Sequence, residues 1–144
     1  MTVSTARREF ACAVIIDTQG RFLFQQRDDV PGILYPGKVG LFGGNREGNE
    51  TFLECVVREI HEEISYYAAP ERFEYLGGLD KSHVDAEDGQ VRGEFFVVRH
   101  VPVEALVVTE GSLLIADSEE ITDLHLEITP STRFALEAYF AKLR

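Results

Sequence analysis

Three glutamates lie close together in the segment "REIHEEIS", residues 58–65: they are Glu59, Glu62 and Glu63. An α-helix turns about 100° per residue, so the three carboxylates would form one patch on the shoulder of an apolar stripe, with two of them half-buried. Their mutual repulsion costs about 0.2–0.5 kcal/mol per exposed pair, and more when buried. A divalent cation that prefers oxygen ligands would remove this repulsion. The cluster is therefore a candidate cation site, with a solvated helical face neutralised by Arg58 as the alternative.

The residues upstream of the cluster favour the cation site. Gly44 is followed after five residues by Glu50, and after seven more by the run "REIHEE". This arrangement resembles the Nudix box of the Nudix (MutT-like) hydrolases, G-x5-E-x7-R-E-U-x-E-E-x-G-U, in which U is a bulky aliphatic residue. The flanking segments "FLFQQRDD" and "GLFGG" also look like the family, as does the closing "TP-x-x-R-x-AL" pattern. The likeness covers nearly the whole chain.

The resemblance implies an activity and a role for each matched residue. The family hydrolyses a diphosphate linked to a nucleoside or a similar group, and it uses Mg²⁺ or Mn²⁺. Arg58 would orient the metal ligands by ion pairing, and Gly44 would let the backbone turn tightly beside the site. Glu50 would support either the join between loop and helix or a water molecule next to the metal ligands. The metal ligands implied by the motif are Glu59, Glu62 and Glu63.

Several residues outside the motif are further candidates for the site. The family often adds a carboxylate from elsewhere in the chain, and Glu110 is our first choice because it follows a predicted strand at a turn. Glu94 is a weaker choice, and Glu119 and Glu120 are weaker still. Arg27, at the end of the second strand, is a candidate ligand for substrate phosphate, or else a surface partner of a neighbouring aspartate.

One position departs from the family pattern in a way that affects the backbone. Ser65 stands where the family has glycine, at a position that usually ends the helix in a left-handed conformation. That conformation costs a non-glycine residue about 1–2 kcal/mol. The sequence therefore leaves two outcomes open, a left-handed serine or a helix that ends differently.

Two other functions were weighed against the hydrolase. The first is a Nudix-fold binding or regulatory module that has lost catalysis, which the intact glutamates disfavour. The second is an isomerase of prenyl diphosphates on the same fold. That activity would need a suitably placed catalytic cysteine, and neither Cys12 nor Cys55 is at an obvious position for it. The substrate stays open among oxidised nucleotides, nucleotide sugars, ADP-ribose and dinucleoside polyphosphates. Some subfamilies are distinguished by a proline or a tyrosine downstream of the box, and "KSHV" (residues 81–84) in that region matches neither pattern.

The elements that must position these residues begin with a hairpin. "FACAVIID" (residues 10–17) and "RFLFQQR" are rich in apolar and β-branched residues and are separated by the turn "TQG". "VGLFGG" predicts a short strand. A helix is expected from about Thr51 to Ile64, because Thr51 with Glu54 three residues later forms a capping box.

The second half of the chain predicts further strands and a closing helix. "RFEYLGGL" and "VRGEFFVVRHV" indicate strands joined by a turn at Asp88-Gly89, and "ALVVTEG" a short strand. "SEEITDL" is expected to form one or two helical turns capped by Ser118. Thr129 should cap a final helix whose first residue is Pro130. The whole pattern predicts one α/β domain over residues 1–144, a Nudix-type α/β/α sandwich with a mixed β-sheet between helices.

The composition limits the classes of partner that can be expected. The net charge is −11, from 25 acidic and 14 basic residues, which disfavours a nucleic-acid polymer as partner because its backbone is bound by clustered Lys and Arg. The two cysteines lie in apolar segments and are expected to be buried free thiols, which fits a cytoplasmic location. No apolar run is long enough for a membrane span or a signal peptide. We therefore expect a small nucleoside-diphosphate substrate and no membrane partner, and leave a homodimer open.

Overall fold

The computed structural model describes residues 8–33, 35–80, 91–123 and 127–143. The helices in these ranges are α1 (Phe52–Ile64), α2 (Ser118–Asp123) and α3 (Pro130–Lys142). The strands are β1 (Arg8–Asp17), β2 (Phe22–Gln26), β3 (Val39–Gly40), β4 (Phe42–Asn45), β5 (Glu74–Asp80), β6 (Val91–Val101) and β7 (Ser112–Ala116). Short 3-10 turns occupy Pro70–Arg72 and Val103–Ala105.

The strands form one mixed sheet with β1 near its centre. The strand order is β3-β2-β1-β6-β5, while β4 also pairs with β1 and β7 pairs with β2. β1 runs parallel to β6 and antiparallel to β2 and β4. The predicted mixed sheet is confirmed, and so is the hairpin of the first two strands, in which Ile15 pairs with Leu23.

The two faces of the sheet carry separate apolar cores. Side chains alternate between the faces along a strand, so β1 contributes to both cores. The core against α3 contains Phe10, Val14, Ile16, Phe22, Phe24, Ala135, Leu136 and Tyr139. The core against α1 contains Ala11, Ala13, Ile15, Leu23, Phe42, Val56, Ile60 and Ile64. This arrangement of helix, sheet and helix confirms the predicted α/β/α sandwich.

The sheet divides at one edge of β1. Ile15 and Ile16 of β1 pair with β2, whereas the four residues from Phe10 to Ala13 pair with β4. The segment predicted as one short strand is therefore two, because it pairs first with β2 as β3 and then, after Leu41, with β1 as β4. A split sheet edge leaves a gap between strands in which a ligand can be held.

The helix α1 begins and ends through specific contacts. The Thr51 hydroxyl accepts the N–H of Glu54, and the Glu54 carboxylate accepts the N–H of Thr51, so the predicted capping box is confirmed. Ser65 ends the helix in the left-handed region, with φ 56° and ψ 37°. Of the two outcomes that the sequence left open, the structure therefore has the left-handed serine.

Two predictions about the segment after β6 are wrong. "ALVVTEG" contains no strand, because the N–H groups of Val107 and Thr109 are donated to the carbonyls of Ile64 and Glu63 at the end of α1. The strand instead begins at Ser112 and pairs with β2. Asp117, not Ser118, caps α2, since its carboxylate accepts the N–H of Glu120.

The closing helix begins as the sequence predicts. Thr129 caps α3 and Pro130 is its first residue, as predicted. The turn expected at Asp88-Gly89 lies outside the described residues. Within the described ranges, each helix is too short or too polar to cross a membrane.

The left-handed Ser65 yields a test of stability. Replacing Ser65 by glycine should raise the free energy of unfolding by about 1 kcal/mol, because glycine has no Cβ to disfavour φ 56° at this exposed position. The measurement is urea denaturation of both proteins. Ser65→Ala is the matched control, since it keeps the Cβ and should bring no gain. An unchanged or lower stability in the glycine variant would contradict the strain.

Candidate functional site

A cleft of about 410 Å³ lies at the split edge of the sheet. It is lined by backbone from β3 and β4 and by side chains from α1, β1, β2 and the segment before β7. The acidic side chains that line it are Glu47, Glu59, Glu63 and Glu110. Basic and hydroxyl-bearing side chains also line it, namely Arg8, Arg27, Tyr35, Thr129 and Ser131. The cleft therefore combines a cluster of carboxylates with groups that bind anions or hydrogen-bond acceptors.

Glu63 is the most deeply buried carboxylate of this cluster. Only 7% of its surface is exposed, and its Oε1 accepts the N–H of Gly43 at 2.8 Å. Burial raises the pKa of Glu63 well above its ordinary value, and a hydrogen bond with Glu110 raises that pKa further. A divalent cation bound at Glu63 would compete with the proton that the raised pKa favours.

Glu110 reaches Glu63 because the chain before β7 is fastened to the end of α1. The last carbonyls of a helix have no partners within the helix. Here the Thr109 N–H is donated to the carbonyl of Glu63 at 2.9 Å, and the Thr109 hydroxyl to that of Glu62 at 3.1 Å. On the other side, the buried amide of Gln25 donates to the Glu110 carbonyl at 3.0 Å. These bonds hold Glu110 at the cleft although it is 47 residues from Glu63 in sequence.

Arg58 neutralises the remaining carboxylates of the motif. Its guanidinium donates two hydrogen bonds to Glu50, at 2.6 and 2.8 Å, and one to Glu59 at 2.6 Å. A further bond reaches Glu62 at 3.0 Å. Hydrogen bonds from Arg58 are the largest cause of the lowered pKa of Glu50, which falls from 4.5 to about 2. Arg58 therefore joins the loop before α1 to the outer side of the carboxylate cluster.

The paired glycines of β4 leave room for a carboxylate of α1 on one side and for the backbone of β1 on the other. A Cβ on Gly44 would overlap the carboxylate of Glu59. A Cβ on Gly43 would overlap the carbonyl of Ala11, and its φ of 150° also disfavours a side chain. Burial raises the pKa of Glu59, although its bond with Arg58 acts in the opposite direction. Gly44 thus leaves room for the Glu59 carboxylate beside β4, and Gly43 allows the close pairing of β4 with β1.

The ligand atoms in the cleft are of the type that a hard divalent cation prefers, but one side chain would have to rearrange before an ion could bind. Glu59, Glu63 and Glu110 offer only oxygen donors, the type that Mg²⁺ and Mn²⁺ prefer. Among the described residues, no three His, Cys, Asp or Glu side chains are grouped closely enough to hold one ion as they stand. Glu59 is bonded to Arg58, so binding of an ion would require that carboxylate to turn toward Glu63.

The structure brings together some of the predicted site residues and separates others. The predicted residues that line the cleft are Glu59, Glu63, Glu110, Gly44 and Arg27. Arg58 and Glu50 support this group without lining the cleft. Glu62 has 54% of its side chain exposed, is bonded to Arg58 and is not among the lining residues.

The weaker candidates for the extra carboxylate lie elsewhere. Glu94 is on β6, where it accepts hydrogen bonds from Tyr75 and Arg92. Glu119 and Glu120 are on α2. None of these three glutamates lines the cleft in the described part of the chain.

Sequence reasoning missed several residues that line the cleft. Arg8, Phe10 and Cys12 line it from one face of β1, and Gln25 and Tyr35 line it from β2 and the following loop. The alternation of side chains along β1 could have grouped the first three, but only the pairing with β4 shows that this face meets the carboxylates. Burial raises the pKa of the Cys12 thiol, so that residue is a neutral side chain in the cleft.

Comparison with known proteins agrees with this architecture. The NUDIX domain family matches residues 5–139, and no curated protein matches the chain. A MutT NUDIX hydrolase from Burkholderia pseudomallei is 28% identical, with a TM-score of 0.73, covering 92% of this chain and 98% of that one.

Two more distant structures share the fold alone. The MutT protein from Methanosarcina mazei Go1 is 20% identical, with a TM-score of 0.78 and coverage of 99% and 100% of the two chains. The NUDIX domain of Shewanella oneidensis NrtR, crystallised with ADP ribose, is 17% identical, with a TM-score of 0.76 and coverage of 96% and 90%.

The Arg58 network yields a pH-dependent prediction. Arg58→Met should lower the free energy of unfolding by about 2–3 kcal/mol at pH 7, because Glu50 and Glu59 lose their counter-charge. The pKa of Glu50 is lowered from 4.5 to about 2, so its stabilisation is complete above about pH 4.5 and is lost as the pH falls toward 2. The penalty of the variant should therefore be smaller at pH 3 than at pH 7.

The measurement is urea denaturation at both pH values. Arg99→Met is the control, since Arg99 pairs with the half-exposed Glu74 outside the cleft and should cost about 1 kcal/mol or less. Equal losses for the two variants, or a loss at Arg58 that does not change with pH, would contradict the assigned network.

Proposed function

Because the chain belongs to the Nudix family, we propose that it is a hydrolase that uses Mg²⁺ or Mn²⁺ to cleave the diphosphate linkage of a nucleoside-diphosphate derivative. One observation carries this proposal: Glu59, Glu63 and Glu110 line a single cleft, although repulsion opposes the arrangement and burial opposes the charged forms of Glu59 and Glu63. We propose further that residues 1–144 form one domain that carries the whole activity.

The proposed roles follow from where each side chain lies. A bound divalent cation would neutralise the diphosphate and lower the pKa of a coordinated water. Glu59 and Glu63 would hold the cation, and the N–H of Gly43 keeps the Glu63 carboxylate facing the cleft. Glu110 would accept the proton of the attacking water, because it lies beside Glu63 and is held by Gln25 through its backbone.

The anionic substrate would be met by the positive groups of the cleft. Arg27 lies at the end of β2 with its side chain near Gly40, and α3 begins at the cleft with Thr129 and Ser131. The N-terminus of a helix carries partial positive charge. Arg27 and the start of α3 therefore both bring positive charge to the cleft, and we assign Arg27 to the substrate phosphates.

Glu62 could bind the ion only after a change of its side-chain position. The family pattern makes it a metal ligand, but here its carboxylate is exposed and bonded to Arg58. It would join Glu59 and Glu63 around an ion only after giving up that bond. Glutamine variants of Glu59, Glu62 and Glu63 can therefore be compared. They distinguish the two ligands that already line the cleft from Glu62, which would have to move into it.

The first test is hydrolysis. The protein should release phosphate or a nucleoside monophosphate from at least one compound in a set of nucleoside-diphosphate derivatives, and only with Mg²⁺ or Mn²⁺. Glu59→Gln and Glu63→Gln should lower kcat by about 100-fold or more, since both remove a ligand from the reacting centre while keeping side-chain size. Glu137→Gln, which changes an exposed glutamate of α3, is the control.

Two results would reject this assignment. Wild-type rates in the Glu59 and Glu63 variants would remove the carboxylates from the reaction. Absence of hydrolysis across the whole set would favour a binding module.

The second test is binding of the ion itself. Mg²⁺ at about one hundred times its Kd should raise Tm by roughly 5–10 °C, because a ligand that binds only the folded state stabilises it. The shift, measured by calorimetry, should be lost in Glu63→Gln and kept in Glu137→Gln. A flat titration of the unchanged protein up to several millimolar would contradict a divalent-cation site, whatever the activity.

A further inference from the structure

The face of β1 that lines the cleft leads away from the carboxylates to an arginine. Cys12 pairs with Gly43, whose N–H holds Glu63, so this end of β1 lies beside the acidic cluster. Phe10 and Arg8 follow on the same face, at every second residue, and all three line the cleft. At about 3.3 Å per residue, Arg8 lies roughly 13 Å along the strand from Cys12.

Arg8 has an unusual environment among the arginines of the described residues. Its guanidinium carbon lies 5.2 Å from the centre of the Phe10 ring. Its Nε is buried and has no hydrogen-bond partner in the part of the chain that the structure describes. By contrast, Arg46, Arg58 and Arg72 each donate to an acceptor within 2.6 Å.

A buried donor without an acceptor destabilises a protein, so native structures rarely keep one without a reason. The ring beneath Arg8 is itself fixed, because Phe10 is 6% exposed and packs edge-on against Phe95 at 5.9 Å. Arg8 and Phe10 thus form a planar platform at the end of the cleft remote from Glu63 and Glu110, and the Arg8 Nε–H is a donor that the described part of the protein does not use.

We propose that Arg8 is a specificity-determining residue that binds the end of the substrate remote from the hydrolysed linkage. Its guanidinium presents parallel N–H donors, which match a group with two adjacent acceptor atoms. Two sources offer that pair: the O6 and N7 edge of a 6-oxopurine base, and two oxygens of a second phosphate group. An adenine edge presents a donor beside N7 and does not match.

This assignment rests on the proposed function for its orientation, because the diphosphate must lie at the carboxylates for the remote end to reach Arg8. Its test does not depend on turnover. The ligands are nucleoside monophosphates, which contain no diphosphate to cleave, and binding is measured by calorimetry with MgCl₂ present. Failure of hydrolysis would therefore leave the result for Arg8 intact.

The experiment compares GMP, IMP, AMP and adenosine 2′,5′-bisphosphate. The protein should bind either GMP and IMP, or the bisphosphate, about 10-fold more tightly than AMP. The first preference identifies a 6-oxopurine and the second identifies a remote phosphate. Arg8→Gln should abolish the preference while leaving the affinity for AMP unchanged.

Arg8→Lys distinguishes paired donors from positive charge alone. Lysine keeps the charge and loses the fork of donors, so the preference should fall nearly as far as in Arg8→Gln. Arg99→Lys is the matched control, because Arg99 also lies over an aromatic ring, that of Tyr139 at 5.8 Å, but outside the cleft. Equal affinity for all four ligands, a preference that survives Arg8→Gln, or full retention in Arg8→Lys would overturn the assignment.

Discussion

The structure depends on how the negative charge of α1 is balanced. Four carboxylates, those of Glu50, Glu59, Glu62 and Glu63, lie within reach of one another along the helix and the loop before it. Arg58 holds the first three through hydrogen bonds on the outer side of the helix. Glu63 is left to the cleft, where its partners are the N–H of Gly43 and the carboxyl group of Glu110. One arginine thus neutralises the outer carboxylates and leaves the carboxyl group of Glu63, next to Glu110, available for a cation.

The unpaired carbonyls at the end of α1 also determine how Glu110 is positioned. Its last carbonyls need donors, and the segment before β7 supplies them through Val107 and Thr109. That segment forms no strand, and the N–H groups on one of its edges are bonded to the helix. Its attachment also delivers Glu110 to Glu63 and leaves β7 to pair with β2. A local requirement for hydrogen bonds therefore determines which remote carboxylate enters the cleft.

The cleft joins two chemical environments along one strand. Near Cys12 it is acidic and suited to a cation and a diphosphate, while near Arg8 it offers a planar cation on an aromatic ring. This polarity suits an elongated substrate with a charged centre and an acceptor-rich end. It also reconciles a chain of net charge −11 with an anionic ligand, because the arginines in the cleft act locally and the acidic surface is screened beyond about 8–10 Å.

The sequence by itself determined the features that depend on neighbours along the chain: the capping box at Thr51, the hairpin, the cap of α3 and the spacing of the carboxylates on α1. Each follows from backbone geometry over a few residues. Tertiary structure alone decided that Glu62 faces solvent while Glu63 is buried, that Arg8 and Phe10 line the cleft, and that residues 106–111 form no strand. These outcomes depend on which backbone groups find partners across the sheet, and such long-range pairing is not encoded in local periodicity. Ser65 shows the boundary between the two, because its place at the end of the helix follows from the local sequence whereas its left-handed backbone was decided only in the folded chain.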